Sequence, residues 1–109
     1  MKLDATSGAW FGLDISAPLN IASKTHFKFE VKTGAAGTSQ NVVFKIGDSY
    51  EWCQAALGYI NANTITTIDL DLTQNYQCNS SKPLDLTKIH GIYFYFSPGT
   101  FYIDALRAE

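Results

Sequence analysis

A chain of 109 residues with 46% apolar and only 17% charged residues holds one globular domain, large enough for a single two-layer core and too small for a second. Its formal charge of -2, with eight scattered Lys and Arg, argues against nucleic acid as a partner, because a phosphate-tracking surface needs a clustered basic face. No apolar run reaches membrane-spanning length, and the abundance of Thr, Tyr, Phe, Ile, Val and Gly tilts the composition toward β structure.

Residues 9–15 (AWFGLDI) alternate, with Phe11, Leu13 and Ile15 on one face and Trp10, Gly12 and Asp14 on the other; Pro18 ends the strand. Residues 26–32 (HFKFEVK) form the cleanest strand, with Phe27, Phe29 and Val31 inward and a charged, solvated outer face. Residues 33–40 read as a Gly- and Ser-rich loop. Residues 41–46 then pass through Gly47, Asp48 and Ser49 into a strand at 50–57, which makes a hairpin. Residues 58–63 connect to a strand at 64–72, where Ile68, Leu70 and Leu72 point inward and Asp69 and Asp71 outward. A loop at 73–83 and a single helical turn at 84–88 precede the last two strands, 89–96 and 100–107, joined by Ser97, Pro98 and Gly99. Strands this short, about seven to nine of them, each with one face to bury, predict an all-β, antiparallel two-sheet β-sandwich over residues 1–109. The abrupt start and finish suit a soluble module cut from a longer protein, and MKLDATSG carries no signal-peptide h-region.

The stretch IHGIYFYFSPGTFYI is aromatic on both faces. His90, Ile92, Phe94 and Phe96 point one way, and Gly91, Tyr93 and Tyr95 the other. In SYEWCQAAL, Tyr50, Trp52 and Gln54 share a face opposite Cys53, Ala55 and Leu57. If Trp10, Tyr50, Trp52, Tyr93 and Tyr95 converge on one sheet they form a patch a monomer would not keep exposed without function. A register slip of one residue would instead turn some of them into core. Exposed rings of this kind suit a sugar chain, whose flat C–H faces an aromatic ring removes from water, while Gln54, Asp14 and Asn41 are the nearest partners for hydroxyl groups.

Asp69 and Asp71 stand about 6.6 Å apart along their strand, a separation seen between glycosidase carboxylates. An open strand supplies neither the cleft nor the apolar pocket that raises one carboxyl pKa, so a solvated face is the better reading and the chain is expected not to be an enzyme. Cys53 and Cys78 are either one disulfide or two reduced thiols, and a bonded pair implies an extracellular, secreted protein. Asp104, with Asp4 near the other terminus, is either a ligand of a structural Ca2+ or an aspartate that bonds local backbone.

The order NVVFKIGDSYEWCQAAL, TITTIDLDL, LDLTKIHGIYFYFSPGTFYIDALRA resembles the C-terminal two-thirds of bacterial jelly-roll carbohydrate-binding modules found beside glycoside hydrolases. The closing FYIDALR strand is the most characteristic piece of that resemblance. It implies a jelly-roll-like sandwich that binds plant cell-wall polysaccharide with aromatic and polar residues. The expected ligand is a β-glucan-type chain (β-1,4-glucan, mixed-linkage glucan or xyloglucan), with no cofactor required for binding and a covalently linked glycoside hydrolase domain as neighbour. Asp104 matches the position of an aspartate that helps hold structural calcium in several such families. The reading from another class is a structural or protein-interaction sandwich that uses the Tyr and Trp face as an interface.

Overall fold

Alternation of apolar and polar side chains decides which strand faces meet. The computed structural model describes residues 2–5, 9–48, 51–73, 77–78 and 84–109; the side chains at 2–5, 9, 56, 57, 77 and 78 fall outside that description. Its strands are β1 (Lys2–Ala5), β2 (Ala9–Leu19), β3 (His26–Thr33), β4 (Thr38–Ile46), β5 (Glu51–Ile60), β6 (Ile65–Asp71), β7 (Gln77–Cys78), β8 (Ile89–Phe96) and β9 (Gly99–Ala108). They form a four-stranded sheet, β1-β9-β3-β6, and a five-stranded sheet, β2-β8-β4-β5-β7. All pairings are antiparallel. Without the two-residue β7, consecutive strands switch between the sheets at every step but the β4–β5 hairpin, the order of a jelly roll.

The inner faces interlock through aromatic rings. Phe29 of one sheet meets Phe94 of the other edge-on at 5.0 Å, Phe27 meets Phe44 at 5.6 Å, and Phe101 stacks on Phe96 at 4.9 Å. Val31, Val42, Ile89, Ile103 and Cys53 fill the space between them and are fully buried. Rings with centroids 4.5–7 Å apart in such geometries add to simple area burial, so the sandwich is pinned at its centre by β3, β4 and β8.

The outer face of the four-stranded sheet is ionic. His26 Nδ1 donates to Asp69 Oδ1 (2.7 Å), and Lys28 Nζ bonds Glu109 (2.7 Å) and lies 3.7 Å from Asp69. Asp71 Oδ1 accepts from the Thr73 amide and hydroxyl. Both aspartates of the strand are thus bound to local partners on an open surface.

Several boundaries differ from the sequence expectation. β2 continues past Pro18 because it is an edge strand whose ladder is already interrupted between Asp14 and Leu19, so the missing proline N–H costs no inter-strand bond. β4 begins at Thr38, within the expected loop, because its Gly and Ser neighbours do not stop pairing with residues 58–60 of β5. The expected helical turn at 84–88 is a turn closed by Asp85, whose carboxylate accepts from the Thr87 amide and hydroxyl and is held below its ordinary pKa by those bonds. β1 and β7 lie where no strand was expected; both are short edge pieces without readable alternation.

Candidate functional site

The outer face of the five-stranded sheet can be assembled row by row from the strand register. One row runs Trp10 (β2), Tyr95 (β8), Asn41 (β4), Ala56 (β5). The next runs Gly12, Tyr93, Val43, Gln54, and the third Asp14, Gly91, Lys45, Trp52. The register therefore brings Trp10, Asp14, Trp52, Gln54, Tyr93 and Tyr95 to one surface, because every second residue on each strand is committed to the core beneath. Tyr50 lies outside the described residues.

The rings form two couples. Trp52 stacks on Tyr93, centroids 5.1 Å apart and planes 28° from parallel, and Trp10 meets Tyr95 at 5.3 Å with a tilt of 53°. Trp10 keeps 52% of its surface exposed and Trp52 42%, so both indoles offer apolar area to a ligand. Counting strand spacings, their backbones stand about 20 Å apart on a diagonal across the sheet. Between them, the Tyr93 hydroxyl donates to Asp14 Oδ1. That bond, with partial burial and the carboxylate charge, raises the Tyr93 pKa above the ordinary phenol value. Lys45 Nζ lies 6.0 Å from the Trp52 ring centre. Asp14 and Gln54 are exposed and Asn41 half-buried, which leaves carboxylate and amide groups between the rings.

Two members of this face were not singled out from sequence. Lys45 belongs to the Trp52 row, but a lysine on a strand carries no special signal. Tyr59, 66% exposed, pairs with Ser39 one step beyond the Trp10 row. It was missed because Gly58 reads as a connector; Gly58 instead adopts φ of 78° beside a register shift and lets β5 run on.

Cys53 is disulfide-bonded and no cysteine is free among the described residues; the register sets Cys78 of β7, the one other cysteine in the sequence, directly opposite it. Asp104 and Asp4 are not brought together. In the backbone register Asp4, whose side chain lies outside the described residues, is level with Thr100, four residues from Asp104 along β9 or about 13 Å. Asp104 Oδ1 instead accepts from the amide of Ala105, a left-handed residue (φ 54°) at the bulge between the Glu30 and Lys28 pairings. Among the described residues no group of three or more His, Cys, Asp and Glu is placed to hold a metal. The bulge aims Leu106 at the gap between the sheets. There, with Trp10, Phe11, Leu13, Phe94 and Ile103, it lines an apolar cavity of about 370 Å³ that opens round the free edge of β2.

No family model matches the chain, and no curated protein does. Solved structures do. The family 11 carbohydrate-binding module of the cellulosomal cellulase Lic26A-Cel5E of Clostridium thermocellum superposes with a TM-score of 0.63 at 12% identity, over 99% of this chain and 85% of that one. A family 11 module from the same organism, in complex with a β-1,3-1,4-mixed-linked tetrasaccharide, gives 0.64 at 11% identity over 99% and 86%. A carbohydrate-binding module of family 28, specific for non-crystalline cellulose, gives 0.56 at 13% identity over 94% and 66%. At such identities the likeness is one of fold: the chain shares the two-sheet β-sandwich of these modules.

Proposed function

We propose that this sandwich is a non-catalytic carbohydrate-binding module that takes β-glucan-type chains on the outer face of its five-stranded sheet. One observation carries the reading: Trp10, Tyr95, Tyr93 and Trp52, drawn from three different strands, lie in a single outward layer, the indoles exposed and the tyrosines half-buried, interleaved with Asp14 and Gln54. Flat, equatorially linked sugars present apolar C–H faces to such rings and edge hydroxyls to such polar groups. Two similarly folded modules, described as binding a mixed-linkage glucan oligosaccharide and non-crystalline cellulose, support the same class of ligand here. The two indoles stand on a diagonal, so the glycan crosses the strands obliquely and must be long enough to reach both.

The same reading puts the module outside the cell, beside a linked glycoside hydrolase domain. The disulfide at Cys53 supports the oxidising compartment. Affinity electrophoresis against mixed-linkage glucan, hydroxyethyl cellulose, xyloglucan, mannan and xylan tests the proposal. Retardation by the glucans is expected. No retardation together with a dimer in size exclusion would instead make the aromatic layer a protein interface.

A further inference from the structure

Tyr93 occupies space that only glycine leaves free. A Cβ built on Gly12 would fall 2.5 Å from Cε1 and 2.9 Å from Cγ of Tyr93, and one on Gly91 2.7 Å from Cε2 and 3.1 Å from the hydroxyl. Gly12 is the cross-strand partner of Tyr93, and Gly91 precedes it by two residues on the same face of the same strand. Both glycines therefore flank one ring from two strands. Neither has a left-handed φ, so any residue could adopt their backbone conformation, and glycine inside a strand costs stability. Conformation does not explain them; the ring does.

We propose that Gly12 and Gly91 form a slot that seats Tyr93 as a positioning residue, which in turn fixes the Trp52 ring and the Asp14 carboxylate where they meet the glycan. This rests on the polysaccharide reading of the face. Seated in the slot, Tyr93 has the two glycines against its ring, Trp52 stacked on it, and Asp14 at its hydroxyl. It therefore serves the glycan through its neighbours, whereas Trp10 and Trp52 offer their own exposed surfaces. The slot makes the orientation of Trp52 depend on two residues that carry no side chain. A ring ordered before binding does not have to be ordered by the ligand, and that is where affinity is gained.

A double-mutant cycle tests the slot with Gly12→Ala, Tyr93→Ala and the double variant. The readouts are affinity for mixed-linkage β-glucan and, without ligand, the near-UV circular dichroism of the Trp52–Tyr93 couple. Gly12→Ala is expected to weaken binding about tenfold and to reduce the dichroic band, and to do neither in the Tyr93→Ala background. An equal loss in both backgrounds would show Gly12 acting on its own and overturn the proposal, as would a Gly12→Ala protein with unchanged band and affinity. Should Gly12→Ala fail to fold, the double variant, free of the clash, is expected to fold; failure there too overturns the slot. A wild-type protein that binds no glucan but keeps the dichroic cycle would overturn the polysaccharide reading and uphold the seating of Trp52.

Discussion

Trp52→Ala separates the cost of losing a packed ring from the cost of losing a binding ring. In the folded chain the indole is 42% exposed, stacks on Tyr93 at 5.1 Å and lies 6.0 Å from the Lys45 ammonium. An aromatic couple contributes about 1 kcal/mol beyond area, and an exposed cation over a ring about 0.5 kcal/mol. Those two terms come to about 1–2 kcal/mol, to which the area of the half-buried ring adds, so Tm should fall by at least roughly 4–8 °C for a domain of this size. Binding should suffer as well, since an aromatic anchor in a contact is worth about 2 kcal/mol or more, or about 30-fold in Kd. Titration calorimetry with mixed-linkage glucan and a thermal melt give the two numbers on one sample. Tyr102→Ala is the control: that ring, 40% exposed under Lys32, lies on the opposite sheet and should leave affinity unchanged. A Trp52→Ala protein with Kd within about twofold of wild type, or one that loses its tertiary structure at 25 °C, refutes the placement of Trp52 as an exposed anchor.

Other outcomes can be stated more briefly. Thiol titration of the unfolded, unreduced protein should find no free cysteine, and reductant should lower Tm, because opening a loop of about 26 residues removes roughly 3.5 kcal/mol on a chain-entropy estimate. Asp104→Ala should lower Tm by removing the acceptor for the Ala105 amide, and a melt with and without excess EDTA reads whether a structural cation adds to that effect. Tyr93, bonded to Asp14, has a pKa raised above 10.0, so its stabilising effect is complete below that pH. It is lost as alkalinity carries the folded phenol through its own pKa, and ultraviolet titration should show a late-titrating component that vanishes in Tyr93→Phe. Glu109, lowered from 4.5 by its bonds to Lys28 and Arg107, behaves oppositely. Its contribution holds above 4.5 and fades on acidification, an effect that Glu109→Gln should erase from the acid limb of the stability profile.

Strand alternation made much of this molecule readable. Phe27, Phe29 and Val31 declared the inner face of β3, and Tyr93 and Tyr95 between Ile92, Phe94 and Phe96 declared a second aromatic surface, because a period of two is unambiguous where both partners are large. What alternation could not carry was any departure from it. The bulges at Ala105 and just before Gly58 shift the parity, which hid Tyr59 and turned Leu106 toward the sheet gap. The level of Asp4 along β9 was equally out of reach, since proximity to opposite chain ends does not say which residues a strand sets opposite each other. Gly12 and Gly91 read as ordinary alternation partners, and their role emerged only once a ring from a neighbouring residue was seen to occupy their side-chain space.

Val43 has an outward parity on β4 yet is only 3% exposed, because the layer of rings around it closes over the middle of the sheet. The central strand is in consequence covered on both sides, by the sandwich interior below and by a thin aromatic roof above. Amides of β4 near Val43 should be the slowest in the chain to exchange with solvent, and should slow little further when ligand arrives, since they are already dry. On the proposed reading the roof couples two properties that engineers usually treat as separate: a ring removed to retune sugar preference would also thin the shelter over β4, so selectivity and resistance to local opening would be inherited together.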